Sequence, residues 1–262
     1  MSKNKHKKTI DGFGDEWKRF DQSELELEEY RKLFDRYFSI FPWEELTERS
    51  VGFDMGCGSG RWAKFVAPKV GLLNCVEPSE AIHVARKNLK QYHNVVFHQQ
   101  TTESCGIALR SQDFGYCLGV LHHIPSPEKA LLDCSRLLKP GAPFLLYVYY
   151  SFENKPIWFR LVWKFSDAMR VLIAKLPFRY KKLICELIAL IVYLPMAKLG
   201  AILKFFGFDK KNLPLGDYAD KSFYIMRNDA FDRFATSLEK RFSKAEIVNM
   251  LTGAGFERRA RR

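Results

Sequence analysis

Three groups of residues have types and spacings that can do chemistry. The first is the stretch VGFDMGCGSGRWA, Val51 to Ala63, in which Asp54 closes an apolar run and Gly56, Gly58 and Gly60 follow at every second position. The second is Glu77, nineteen residues after Gly58, at the end of another apolar run. The third is the adjacent pair His122 and His123. Alternating glycines let a backbone turn tightly and approach a ligand closely. The dinucleotide fingerprint, however, is GxGxxG, and here the spacing is GxGxG with Arg61 where close helix packing wants the third glycine. A carboxylate at Asp54 repels a pyrophosphate and suits a cation. An acid at Glu77 stands where ribose hydroxyls are bound in dinucleotide folds. A cationic ligand that carries a ribose is the chemistry these positions describe.

These residues need elements to hold them. SVGFDM, LLNCVE, NVVFHQ, DFGYCLGVL and APFLLYVYY are short apolar runs that read as five strands, with helical segments between them. The alternation predicts a doubly wound, mostly parallel α/β sheet covered on both faces. Such sheets bind ligands at the carboxyl ends of their strands, which is where the glycine loop falls. Ser126-Pro127 places a helix start ahead of the apolar positions Ala130, Leu131, Cys134, Leu137 and Leu138. Ser23 with Glu26, and Ser243 with Glu246, are capping boxes that open helices over 24–39 and near the end of the chain.

A ribose plus a cation without phosphate points to S-adenosylmethionine. The motifs VGFDMGCGSGRWA, VEPSEAI, FGYCLGVLHHIPSPEKALLDCSRLLKPGAPFLLYVYY and FSKAEIVNMLTGAGF together resemble the class I S-adenosylmethionine-dependent methyltransferases of the ubiquinone-biosynthesis type. The resemblance covers 51–150 and 243–256. It implies a Rossmann-like fold, with Asp54, Gly56, Gly58 and Gly60 at the methionine end of the cofactor and Glu77 at the ribose. Cys57 within the loop and Gly119 after the fourth strand are further candidate cofactor contacts. The family often has Asp where QQTTES has Thr101; Thr101 or Thr102 is the candidate substitute at the adenine. FGDEWKRFDQSE looks like an N-terminal cap in which Phe13, Trp17 and Phe20 close over the cofactor. No metal ligand set is visible.

Methyl transfer from a sulfonium rests largely on positioning and desolvation. A base is needed only for a weakly acidic nucleophile such as an alcohol, and His123, with His122 second, is the candidate. By resemblance their position faces the methyl group. Tyr149 and Tyr150, ending the fifth strand, are candidate acceptor contacts, as is Arg227. The amide-and-aromatic signature NPPY is absent.

The chain has 262 residues, 47% of them hydrophobic and 27% charged, which suits a soluble α/β domain with an insertion. The N-terminus is basic without an apolar run behind it, so it does not read as a secretory signal. Six cysteines without a CxxC pair argue against a zinc site or disulfide framework and fit a reducing cytosol. The net charge of +12 is concentrated in the two ends and in 151–215, where twelve Lys and Arg face four Asp and Glu. There Trp158, Leu161, Val162, Phe165, Met169, Leu172, Ile173 and Leu176 make one helical stripe. LICELIALIVYLPMAKLGAILKFF follows, and Pro195 is expected to divide it into two short helices rather than a span. Three uses of this segment are open: a lid whose stripe packs on the core, a face that rests on anionic lipid, or an oligomer interface. Basic residues interleaved with aliphatic ones favour lipid over a phosphate backbone.

The domain reading is 1–50 as tail and cap helix, 51–150 as cofactor core, 151–228 as a basic apolar helical insertion on the acceptor side, and 229–262 as the return, last helix and a shortened end. The expected function is methyl transfer to a small-molecule, lipid or lipid-linked glycan acceptor, in the cytoplasm and peripheral to the inner membrane face. The alternatives are a non-catalytic cofactor-binding protein on the same fold and a nucleic-acid methyltransferase. After the last helix only GFERRARR remains, so the usual closing hairpin of the sheet is expected to be incomplete and the fifth strand to be an edge.

Overall fold

The computed structural model describes residues 6–21, 26–207 and 213–257. The chain forms two compact units, Met1–Ser151 with Leu238–Arg262, and Phe152–Ser237.

The first unit is built on five strands: β1 (Val51–Met55), β2 (Leu72–Val76), β3 (Val95–His98), β4 (Phe114–Leu118) and β5 (Phe144–Tyr147). All neighbouring strands run parallel, in the order β3-β2-β1-β4-β5. The chain winds outward from β1 in one direction and then restarts beside it with β4. The switch point therefore lies between β1 and β4, where Asp54 is in register with Tyr116. On one face of the sheet pack α2 (Leu27–Tyr37), α3 (Ala63–Val66) and α4 (Ala81–Asn88), with Tyr30, Phe34, Trp62 and Ile82 among the core residues that meet Leu73, Cys75 and Tyr116, and α1 (Lys7–Arg19) lies against α4. On the other face α5 (Pro127–Leu137) and α10 (Lys244–Gly253) bring Leu131, Cys134 and Met250 against Phe53, Met55 and Cys117. Strands buried on both faces explain the near-continuous apolar runs.

The local starts are those the sequence dictates. Pro127 stands in the first turn of α5, and Ser243 and Glu246 form a reciprocal capping box at α10. Ser23 lies outside the described residues, and α2 begins at Leu27. β5 stops at Tyr147, short of the predicted APFLLYVYY. Beyond it Tyr150 makes a single parallel bridge with Phe242. Among the described residues β5 is a sheet edge; residues 258–262, on which the expectation of an incomplete hairpin partly falls, lie outside them.

The second unit contains α6 (Ile157–Ile173), α7 (Phe178–Ile188), α8 (Leu194–Phe205) and α9 (Phe223–Ala235), with α9 packed against both α6 and α7. α7 and α8 are not two helices meeting at Pro195, as the sequence led us to expect. A wide π turn at Ala189–Tyr193 joins them into one helical run from Phe178 to Phe205. An inserted proline lacks an amide hydrogen and crowds the carbonyl of the preceding turn. Widening that turn relieves the clash without ending the helix. This run is long and apolar enough to cross a membrane.

Candidate functional site

The glycine loop is fastened to the end of β2. Gly56 and Cys57 both donate their amides to the carbonyl of Val76, at 2.7 and 3.1 Å. Gly58 has φ +53, and a Cβ there would stand 3.0 Å from the indole nitrogen of Trp17. The backbone therefore comes close to α1, as only glycine permits. Glu77 braces the same loop from across it: its Oε2 accepts from the Gly58 amide at 3.1 Å and its Oε1 from the Ser79 amide at 2.9 Å. Each oxygen keeps a second lone pair, so hydroxyl donors can still be received.

Asp54 ends β1 and is 1% exposed. Its Oδ2 has no hydrogen-bond partner. Burial pushes its carboxyl up to about 8. The Tyr116 phenol opposes this, lying near enough to steady the charge but outside hydrogen-bonding geometry, and the charge of Glu77 adds to the rise. Burial also raises Glu77, against the bonds from Ser79 and Gly58. Two buried acids thus flank one glycine loop, and among the described residues no cation pairs with them. That is an unfavourable arrangement for a protein to build for itself. The ammonium and sulfonium of S-adenosylmethionine fit it, with Glu77 available to the ribose.

Gly119, after β4, has φ +84, and a Cβ built there meets nothing within 4 Å, so the space beside it is open. Thr102 spends its hydroxyl on Asp133 of α5, at 3.1 Å, whereas Thr101 Oγ1 lies 3.5 Å from Ser104 Oγ. Phe20 is buried, and Phe13 packs edge-on against His123 with ring centroids 4.9 Å apart.

The two histidines follow β4 and are buried. His122 lies flat on Tyr149, centroids 3.7 Å apart, and both of its ring nitrogens lack a hydrogen-bond partner. Burial, and after it the neighbouring His123 and Arg241, drive its pKa well below the ordinary range. It is therefore a neutral ring at physiological pH and a weak base. His123 is placed differently. Its Nδ1 lies 2.8 Å from the Leu238 carbonyl, which can only accept, so Nδ1 carries the proton and Nε2 the lone pair of the neutral ring. That is the tautomer a general base requires.

The segment Leu238–Phe242 was not singled out from sequence, yet it closes the site. Besides the Leu238 carbonyl it supplies Lys240, whose amide bonds the His122 carbonyl at 2.8 Å. Arg241 stands over Tyr149 at 4.9 Å, bonds the Tyr150 carbonyl and pairs with buried Glu239 at 3.0 Å. The signal was absent because these residues lie more than a hundred positions from the histidines. Arg227 lies on α9 of the second unit, its guanidinium 3.1 Å from Glu186. Among the described residues no cluster of His, Cys, Asp and Glu can hold a metal ion.

Residues 53–146 match the family model of a methyltransferase domain. The match spans the strands β1 to β5 and the glycine loop between β1 and β2. The same region is 30% identical over 90 residues to a ubiquinone biosynthesis O-methyltransferase of Coxiella burnetii, covering 34% of this chain and 38% of that protein. It is 28% identical over 113 residues to the protein of the same name from Nitrosomonas europaea, covering 42% and 46%. The chain thus spans less than half the length of these curated relatives. A solved Thermotoga maritima structure, described as an S-adenosylmethionine-dependent methyltransferase and possible histamine N-methyltransferase, is 17% identical with a TM-score of 0.48, over 94% of this chain and 82% of that one.

Proposed function

We propose that the protein is an S-adenosylmethionine-dependent methyltransferase acting on a small-molecule, lipid or lipid-linked glycan acceptor at the cytoplasmic face of a membrane. The observation that carries the first part is the unpartnered, buried carboxylate oxygen of Asp54 beside a glycine loop braced by Glu77. Asp54 with the loop Gly56–Gly60 would hold the methionine end, and Glu77 the ribose. Thr101 is the better placed of the two threonines for the adenine, because Thr102 is committed to Asp133.

When bound, S-adenosylmethionine supplies an electrophilic methyl group and a thioether leaving group. The chain's own task is to orient an acceptor, exclude water and, for a hydroxyl acceptor, take its proton. His123 Nε2 is the group for that proton. Tyr149 and Tyr150, steadied by Arg241, are the acceptor-side contacts. The relatives named as O-methyltransferases favour an oxygen nucleophile. The apolar, basic insertion favours a lipid-like acceptor.

The test is transfer of labelled methyl from S-adenosylmethionine into lipid, glycan and small-molecule fractions of a lysate. Asp54→Ala should weaken cofactor binding by about 10- to 150-fold, the loss of a hydrogen bond to a charged group worth roughly 1.5–3 kcal/mol. Calorimetry in which S-adenosylmethionine does not bind the wild type sinks the assignment. Binding without transfer to any fraction makes the protein a cofactor-binding relative instead.

A further inference from the structure

The second unit is arranged inside out. On α6 the outward face is Leu161, Val162, Phe165, Met169 and Leu172, all exposed, while the inward face carries Ser166, Asp167 and buried Arg170 and Ile173. The inward polar groups satisfy one another. Asp167 Oδ1 accepts from Arg170 Nε at 2.7 Å and lies 3.4 Å from Arg233 of α9, whose other terminal nitrogen reaches Ser166. The run Phe178–Phe205 repeats the pattern. It buries the small residues Cys185, Ala189, Ala197 and Gly200, with Ile188 and Tyr193 as the two large ones, and exposes Leu183, Leu187, Leu190, Ile191, Leu199 and Ile202. A helix in water buries its large apolar side chains. A helix in lipid turns small residues to its neighbours and large ones outward. All but six of the exposed large hydrophobic side chains among the described residues lie between Ile157 and Phe223. An apolar surface of that extent marks an interaction site.

We propose that Phe152–Ser237 is a monotopic insertion unit, with the outer faces of α6 and of the Phe178–Phe205 run seated in the acyl layer of one anionic leaflet. Crossing is excluded by connectivity. Ser151 and Phe242 are hydrogen-bonded to each other in the first unit, so the chain must pass the bilayer an even number of times. The 28 residues of Phe178–Phe205 are long enough to cross. Among the described residues no second element is. α6 has 17 residues and α9 has 13, about 26 and 20 Å of helix against an apolar thickness of about 30 Å, and both carry several charges. The occupant is lipid rather than a second copy of the chain because the same helices and the turn between them also bear exposed Arg160, Lys164, Lys175, Arg179 and Lys198, which flank the apolar faces. Long basic side chains lay their stems on acyl chains and reach anionic headgroups with their ends, whereas lysine is depleted from protein interfaces.

The inference deepens the proposed lipid-like acceptor but does not depend on methyl transfer. Full-length protein is floated with vesicles of phosphatidylcholine, with and without phosphatidylglycerol, and the bound fraction is washed in molar salt. We expect capture by the anionic vesicles and retention through the wash, because burial in the acyl layer is not screened by ions. Leu187→Lys with Ile191→Lys, or Leu161→Lys with Phe165→Lys, should cut the bound fraction tenfold or more while S-adenosylmethionine affinity is unchanged. Release of the wild type by salt, undiminished flotation of both variants, or a lipid-free dimer that does not float overturns the proposal. Failure to bind S-adenosylmethionine with flotation intact counts only against the methyltransferase reading.

Discussion

The two units treat inward-facing carboxylates in opposite ways. In the insertion, Asp167 is matched by Arg170 and Arg233, and the charges close on themselves. In the core, Asp54 and Glu77 are buried at the ends of adjacent strands with amides and a phenol around them but no cation. The first arrangement is complete within the chain and reads as architecture. The second leaves net negative charge in a low-dielectric place, which the protein stabilises only by protonating it or by receiving a cation. Burial alone does not separate a structural acid from a ligand-binding one; the source of the compensating charge does.

The comparison is sharpened most by His123→Ala. If chemistry resides wholly in the core and the acceptor is a hydroxyl, turnover falls about 10²- to 10⁴-fold with little change in cofactor affinity, measured by steady-state kinetics beside calorimetry. Unchanged turnover would return His123 to packing against Phe13. Next in size is Asp167→Ala, which removes the carboxylate shared by two largely buried guanidiniums. We expect a loss of about 2 kcal/mol or more in the insertion, read as earlier proteolysis or denaturation there, with S-adenosylmethionine binding untouched. A parallel loss of cofactor affinity would break the distinction between the two units.

The smallest effect is a pH dependence. In the free protein Asp54 titrates near 8, above its unfolded value, so the native state holds the extra proton between roughly pH 4 and 8. Stability of the free protein therefore falls as pH rises through that window. A bound cation favours the ionised acid and expels the proton, so S-adenosylmethionine affinity should rise with pH, by up to about tenfold per unit below 8. Calorimetry in buffers of different ionisation enthalpy would show the released proton. A flat affinity between pH 6 and 8 would mean that Asp54 is already charged.

What the sequence disclosed was what local physics decides. Strand runs, the loop with its strand-end acids, and the Ser243–Glu246 capping box were all legible because each depends on a few neighbouring residues. The stripe on α6 was legible as a stripe, but periodicity does not say which way a face points. Its direction is set by Arg233, far along the chain. The continuity of α7 with α8 was hidden because the π turn that absorbs Pro195 has no signature in residue types. The Leu238–Phe242 segment was missed for the same reason of distance: the carbonyl that fixes the tautomer of His123 could be any residue's.

The bridge between Tyr150 and Phe242 has a consequence for how such a molecule can change. The amides of Ser151 and Phe242 bond the carbonyls of Phe242 and Tyr149, so the chain leaves and re-enters the core at one hydrogen-bonded point. A loop whose ends are pinned together closes at a cost that grows only logarithmically with its length. Whatever stands between Ser151 and Leu238 can therefore be lengthened, shortened or exchanged with little penalty to the sheet. The acids, the glycine loop and the histidines lie outside that interval. The sheet and its glycine loop are thus insulated from innovation in the insertion.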